Sequence, residues 1–357
     1  MRQNKFHTLF LVAFLVASAG PGQIAAQNAL RLNVAGNTIY DNNILNYSQY
    51  DIQRFRSDTE VHRSVIETYD DLIFQADGEV EYLFRRWRAH PVRLQLRARG
   101  YTYLRNPIKN YQLYRFDVRV HTRKRNYFAI GYRLIPEYYL RHYVDRDQEE
   151  FVGDDEVYLA CKFQLQQVRS RYTHYWNSKL FTALLIEREW LWYNTYFTEY
   201  DTESISGGLE VFYFMSPAVK LGVEYMYTNG DNVGQDQDRP SGDSDLSYVQ
   251  QELTWKLRTD VNNLLGWRDL DVNADFYTRY REYISDAPLA QDVFHSGRTN
   301  WRHRFSIAVS LDVIPYLDWT ARYSYEDRIV NSDYPLVIQL KEYSTTIIST
   351  GLEYAFR

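Results

Sequence analysis

The residues best placed to do chemistry are charged side chains that recur at every second position. Arg93, Arg97 and Arg99, then Arg115 and Arg119, then Arg133 occupy one alternate phase of three successive segments. In an extended chain that phase is one face, so these arginines predict a basic wall. Glu187, Glu189, Glu210, Glu224 and Glu252 recur in the same way further along and predict an acidic wall. Walls of opposite charge across a wet lumen would orient polar solutes and tune selectivity. The same residues have a plainer use. Asp71, Asp77, Glu79 and Glu81 lie on the segment before the arginines and can neutralise them as cross-strand pairs. Asp117 and Asp275 can pair likewise with Arg119 and Arg279.

Other chemistry is thinly supplied. His295-Ser296-Gly297, with Asp292 nearby, resembles the His and Ser of outer-membrane phospholipases, although there the two residues are spaced along a strand. Hydrolysis needs the base within hydrogen-bond reach of the nucleophile, and the adjacent His295 and Ser296 are poorly placed for that. No enzyme is expected. His121, His142 and His174 fall at strand ends, His303 on an apolar phase near a rim, and His62 and His90 in links. Asp231, Asp236, Asp238, Asp243 and Asp245 cluster with Gly230, Gly234 and Gly242, but their spacing does not fit the EF-hand loop. A solvated turn is favoured there over a calcium site. The single Cys161 excludes an intrachain disulfide framework and a multi-cysteine zinc site. It sits on an apolar phase, predicted to face lipid as a small filler. No metal or other cofactor is expected.

The elements that must position these residues follow from the same alternation. Fourteen strands are predicted, at about 30–40, 71–85, 92–105, 111–121, 127–140, 156–170, 180–198, 205–214, 218–228, 246–259, 270–283, 301–313, 316–327 and 343–356. Leu72, Phe74, Val80, Tyr82 and Phe84 oppose Asp71, Asp77, Glu79 and Glu81. Val92, Leu94 and Leu96 oppose the first arginines. No helical period of useful length appears. Several strands exceed the usual 5–6 residues and match the 9–11 of a tilted membrane strand with some overhang. Short links near 86–91, 122–126, 215–217 and 314–315 mostly interleave with longer ones at 41–70, 142–155, 229–245, 284–300 and 328–342, as in transmembrane barrels. Trp190, Trp192, Tyr225, Tyr227, Tyr323 and Tyr325 are read as membrane-interface aromatics. They belong to a chain of 357 residues with 33 Tyr, 18 Phe and 8 Trp. Mean hydropathy is -0.52, a soluble-looking value that results when one face of each strand is polar. The fold class is all-β: a closed antiparallel up-and-down transmembrane β-barrel of about 14 strands, in one domain.

The ends agree with export. Arg2 and Lys5 precede the short apolar run Phe10–Val16, and small residues offer cleavage after Ala19 or Ala26, the second being preferred. Residues 1–26 are thus expected to be a signal peptide and 27–357 the barrel, with both termini on the periplasmic side of a Gram-negative outer membrane. Thr346, Ile348, Thr350, Leu352, Tyr354 and Phe356 alternate to the end. This resembles the last strand of bacterial outer-membrane β-barrel proteins, where Tyr354 and Phe356 would be the signal read by the barrel-assembly machinery. In that class the aromatic is usually the final residue, whereas here Arg357 follows. Tyr40-Asp41-Asn42-Asn43-Ile44 resembles a short stretch found early in several barrel families, among them the barrel domain of surface lipoprotein assembly modifiers. The periplasmic helical-repeat domain of that family has no counterpart in this sequence. The partners expected are outer-membrane lipid, the assembly machinery and small polar solutes. The net charge of -5 leaves no footprint for nucleic acid. The favoured function is a porin-like channel for small polar or anionic solutes. The alternative is a non-conducting barrel acting in outer-membrane assembly, secretion or envelope structure, its lumen filled by loop 41–70, which is long enough to fold inwards.

Overall fold

Alternation along each strand becomes a closed wall once every strand finds two neighbours. The computed structural model describes residues 28–57, 65–87, 90–123, 126–144, 158–234, 244–261 and 269–356. The predicted signal segment 1–26 lies outside them, as do His62, Asp236, Asp238 and Asp243. Fourteen strands run in chain order: β1 Asn28–Asp41, β2 Asp71–Trp87, β3 His90–Tyr103, β4 Tyr111–Arg123, β5 Asn126–Val144, β6 Tyr158–Tyr175, β7 Leu180–Tyr193, β8 Thr202–Phe214, β9 Val219–Asn232, β10 Tyr248–Val261, β11 Leu270–Tyr283, β12 Thr299–Ile314, β13 Leu317–Asn331 and β14 Tyr343–Phe356. Each pairs antiparallel with the next, and β1 pairs with β14 to close the barrel. At the seam Leu32 faces Phe356 and Asp41 faces Ile347. Closure leaves no strand edge unpaired, which is the condition for a sheet in lipid.

One end of the barrel has links of two to eight residues and the other links of seven to twenty-nine. The chain enters β1 and leaves β14 at the short-link end. Leu30, Phe74, Leu96, Phe116, Leu184, Leu221, Phe276, Phe305 and Leu352 stand exposed on the outer surface. Such a contiguous apolar girdle is stable only against lipid. Among the described residues no helix is long and apolar enough to cross a membrane; the strands do the crossing.

β6 departs from the predicted phase. Cys161 pairs with Arg141 across the β5–β6 ladder and is fully buried. It shares an inward phase with Phe163, Leu165, Gln167, Arg169 and Arg171, so it does not face lipid as expected. The reason is local: the upper lumen wall is apolar here because it packs against other inward rings, such as Tyr138 and Tyr193, that contact Phe163. The outward phase carries instead Lys162, paired with Glu137 at 3.3 Å. Membrane-permeant maleimide is therefore expected to leave the folded protein unmodified in detergent and to label it fully after denaturation. Rapid labelling of the folded state, followed by mass spectrometry, would contradict the inward placement.

Two helices, not expected from the sequence, fold from the long links. Helix α1, Gln49–Arg56, carries a capping box: Ser48 Oγ accepts from Asp51 N at 3.0 Å, and Asp51 accepts in return from Ser48 N at 3.4 Å. Its Ile52 and Phe55 join Ile44, Leu45, Tyr47 and Ile66 against Ile73, Tyr103 and Tyr139 of the inner wall. The second helix, α2, spans Pro335–Lys341 and buries Val337 completely. The Tyr40–Ile44 stretch turns the chain inwards. Asp41 accepts from Asn43 N and from the Thr345 hydroxyl, and Asn42 accepts from Thr346 N at 2.8 Å. Buried Asn43 bonds the carbonyls of Tyr47 and Ser344 and accepts from Tyr47 N. The described part of the first long link, 42–57 and 65–70, thus lies in the mouth of the barrel and narrows it.

Candidate functional site

Below the mouth, β2 carboxylates meet β3 guanidiniums. Arg97 donates through Nε and Nη2 to Asp77 at 2.9 and 2.6 Å, and Arg99 reaches the same carboxylate from Nε at 2.8 Å. Arg93 pairs with Glu81 at 3.2 Å. Arg115 pairs with Asp117 at 2.6 Å, so Asp117 serves Arg115 and not Arg119 as predicted. Gly131 on β5 makes this possible, since a Cβ there would stand 2.5 Å from the Asp117 carboxylate. Arg119 lies over the Tyr127 ring at 4.8 Å. Arg133 keeps a buried Nε–H with no acceptor. Arg97, Arg99, Arg115 and Arg133 line one cavity of about 590 Å³, together with Arg169 and a single carboxylate, Asp117. Four residues of the predicted basic wall are therefore brought together, and Arg93 and Arg119 lie apart from that cavity.

Three carboxylates of the acidic wall, Glu187, Glu210 and Glu224, are paired with cations that the sequence reading did not assign, and Glu189 and Glu252 with neutral donors. Glu210 binds Arg171 and, at 2.7 Å, Lys256. Lys256 also reaches Glu224 at 2.6 Å, and Glu224 lies 3.6 Å from Arg169. Glu187 and Glu189 accept from the Gln167 amide at 2.9 and 2.8 Å. Glu252 accepts from Gln250 and the Tyr277 hydroxyl. Asp275 pairs with Arg258 at 2.7 Å, whereas Arg279 was the expected partner. Alternation identified the carboxylates, but Lys256 and Arg258 share their phase and carried the missing signal.

A second cavity, of about 500 Å³, occupies the mouth beside the first long link. Its cationic lining is Lys109, Arg141, Arg281, Arg298, Arg328 and Lys341, and no Asp or Glu is among the described residues that line it. The cations come from six places: the 3-10 turn Pro107–Lys109, β5, β11, the link before β12, β13 and α2. Several are held by aromatic faces. Arg281 lies 3.7 Å from the Tyr248 ring centre, Arg298 3.9 Å from Tyr283 and Arg328 4.6 Å from Tyr343. Such stacking is worth about 0.5–2 kcal/mol each and fixes the guanidinium plane. Arg141 is spoken for: it donates to the Leu45 carbonyl at 2.8 Å and lies 3.7 Å from Asp51 of α1. Burial pushes the Lys109 ammonium down to about 7, opposed by Asp41 and aided by Arg141. Burial also pushes Lys341 down to about 7, with Arg141, Arg298 and Arg328 adding repulsion. Tyr138 lines both cavities. This mouth set is not legible as a set in the sequence, because Lys109, Arg298 and Lys341 are isolated residues in links and the other three lie on strands far apart in the chain.

His295 borders the mouth cavity and bonds Asp292 at 2.8 Å. Burial raises the Asp292 carboxyl, but bonds from His295, Asp245 N and Ser285 outweigh it and hold it below its ordinary value. The His295 ring turns to Asp292 and makes no hydrogen bond to the Ser296 hydroxyl. Among the described residues no group of three or more His, Cys, Asp or Glu could hold a metal. His303 lies on the outer face between Phe276 and Trp301. Tyr225, Tyr227, Tyr323 and Tyr325 also face outwards, near mid-strand, while Trp190 and Trp192 lie towards the long-link end of β7. Tyr354 and Phe356 stack edge to face beside the closing seam.

No protein-family model matches the chain, and no curated protein does. Solved barrels are similar in shape. An anion-selective porin from Comamonas acidovorans has 8% identity and a TM-score of 0.47, over 92% of this chain and 99% of that one. The outer membrane channel DcaP of Acinetobacter baumannii has 10% identity and a TM-score of 0.46, over 92% and 97%. A bacterial polysaccharide outer membrane secretin has 10% identity and a TM-score of 0.44, over 93% and 100%. The closed wall, apolar outside and charged inside, is the architecture of bacterial outer-membrane β-barrel proteins.

Proposed function

We propose that this chain is a passive outer-membrane channel for small polar solutes that prefers anions. The observation that carries this reading is the mouth: six cationic side chains and no described carboxylate line one cavity, and a second cavity that shares Tyr138 with it is lined by five arginines and one aspartate. Mobile anions are concentrated where fixed positive charge borders water, and cations are depleted there. Residues 1–26 would direct export and be removed after Ala26, and Tyr354 and Phe356 would be taken up by the barrel-assembly machinery. Purified protein in a planar bilayer should give discrete channel events. In a potassium chloride gradient the reversal potential should have the sign of chloride preference. Absence of events removes the channel reading, and cation preference removes the role of the mouth.

A second reading has its own support. The first long link packs Ile52 and Phe55 onto the inner wall and narrows the lumen, as a structural barrel would require. That barrel would be electrically silent in the same bilayer assay.

A further inference from the structure

We infer that the mouth cavity is a saturable binding site for a small organic oxyanion carrying two or more carboxylate or phosphoryl groups, gripped by Arg281, Arg298 and Arg328 with Lys341 beside them. The inference rests on the channel reading only for its purpose; binding itself needs no current. Arg298 carries most of the argument. It is 4% exposed, and its Nε–H and one Nη–H have no acceptor. Leaving a buried donor unmade costs about 1–3 kcal/mol, more when the group is charged. A built acceptor would have relieved that cost, and the fold supplies none among the described residues. Arg281 uses Nε on Gln250 at 2.7 Å, and Arg328 uses Nε on the Lys341 carbonyl at 2.6 Å. No carboxylate pairs with Arg281, Arg298, Arg328 or Lys341 among the described residues. Three guanidiniums held flat on tyrosines are pre-organised forks for oxyanions, and a fork binds carboxylate or phosphoryl oxygen through two parallel bonds.

The size and lining select the ligand class. A cavity of about 500 Å³ is in the usual range for a small-molecule site. Chloride would match one charge and leave the other forks empty. A multivalent ligand can engage several, and Tyr143, Tyr193 and Tyr200 line the same space with faces for a carbon skeleton. The cavity lies inside the wall, so the ligand is a soluble anion and not a lipid headgroup.

The test is calorimetric titration of the detergent-solubilised barrel with citrate, pyrophosphate and fructose 1,6-bisphosphate, with acetate as the monovalent control. At least one multivalent probe should bind with one site per barrel and at least tenfold more tightly than acetate. Arg298→Gln with Arg328→Gln should weaken it by a further tenfold or more, about 1.4 kcal/mol. Arg31→Gln, at the other end of the lumen, should leave it unchanged. Heat-modifiable gel mobility will show whether the double variant folds; if it does not, Arg298→Lys, which keeps charge and loses the fork, takes its place. Citrate binding alone marks a carboxylate site and pyrophosphate binding alone a phosphoryl site, either being consistent with the inference. No binding by any multivalent probe at millimolar concentration, or equal binding by acetate, overturns it, as does undiminished binding in the folded variant. Conductance without binding leaves the channel and removes the site; binding without conductance does the reverse.

Discussion

Replacing residues 42–70 with a two-residue Asn-Gly turn should raise single-channel conductance severalfold. The geometry allows the change, because Asp41 and Asp71 are already directly paired at the end of the β1–β2 ladder. Asn-Gly supplies the positive φ angles of the turn that suits a twisted hairpin. The deleted link takes α1 with it, and with it the apolar side chains that lie in the mouth. Ile73, Tyr103 and Tyr139 of the wall then become wet. That costs on the order of 5–9 kcal/mol, at about 1.5–3 kcal/mol for each large side chain returned to water. The ladders on either side of β1 and β2 remain complete, so the barrel should still fold and melt somewhat lower in a gel mobility assay. Current through a wet pore is limited by its narrowest section. If conductance does not change, the constriction is in the arginine section around Arg97, Arg99 and Arg133. A silent protein both before and after deletion would favour the structural barrel.

The strands were legible because lipid and water impose opposite demands on successive side chains. β5 shifts that period at irregularities between Ile135 and Tyr138 and between Tyr139 and Arg141, β7 carries Arg188 on its outward phase beside Glu203, and most of the others keep it throughout. β6 does not: Cys161, Phe163 and Leu165 read as lipid-facing by their chemistry, whereas Arg169 and Arg171 read as lumenal by theirs. All five share one parity, so both readings cannot hold on an unbroken strand. The arginines decide it, because an unpaired charge against lipid costs far more than an apolar ring facing a lumen that other rings fill. Helix α1 was hidden for a different reason. Eight residues with only Ile52 and Phe55 on one side give too little periodicity, although Ser48 and Asp51 stand at capping-box spacing. The paired part of the lumen was half legible, since alternation finds charges but not their partners. The mouth was almost illegible: Lys109, Arg298 and Lys341 are single residues in three separate links. Only the closed sheet brings those links together.

That assembly of isolated cations makes a pH dependence of definite sign. Lys109 and Lys341 lie outside the spanning strands, in the 3-10 turn and in α2, and both are pushed down to about 7. Burial is the main cause in each, and the neighbouring arginines add to it for Lys341. Above pH 7 the two are largely neutral, and below it they become charged. The chloride-to-potassium permeability ratio should therefore rise as pH falls from 8.5 to 5.5, with its midpoint near 7. A unit charge about 7 Å from the permeating ion, at an effective dielectric constant of about 40, is worth about 1 kcal/mol, or about fivefold per lysine before salt screening. Reversal potentials at low ionic strength measure this. Lys109→Met with Lys341→Met should abolish most of the slope, and the comparison is repeated in His295→Gln to keep that imidazole out of it. Stability follows the opposite course. A lysine depressed from 10.5 in the unfolded chain to about 7 in the folded one means that the unfolded chain binds more protons between these values. Folding is then favoured as pH rises through that window and carries the full charging cost below it. A bound multivalent anion offsets that cost, so it should stabilise the barrel more at pH 5.5 than at pH 8.5. A permeability ratio that does not rise on acidification would show that these two lysines do not control which ions enter, and a rise that survives the double substitution would place the control in the carboxylates of the lumen.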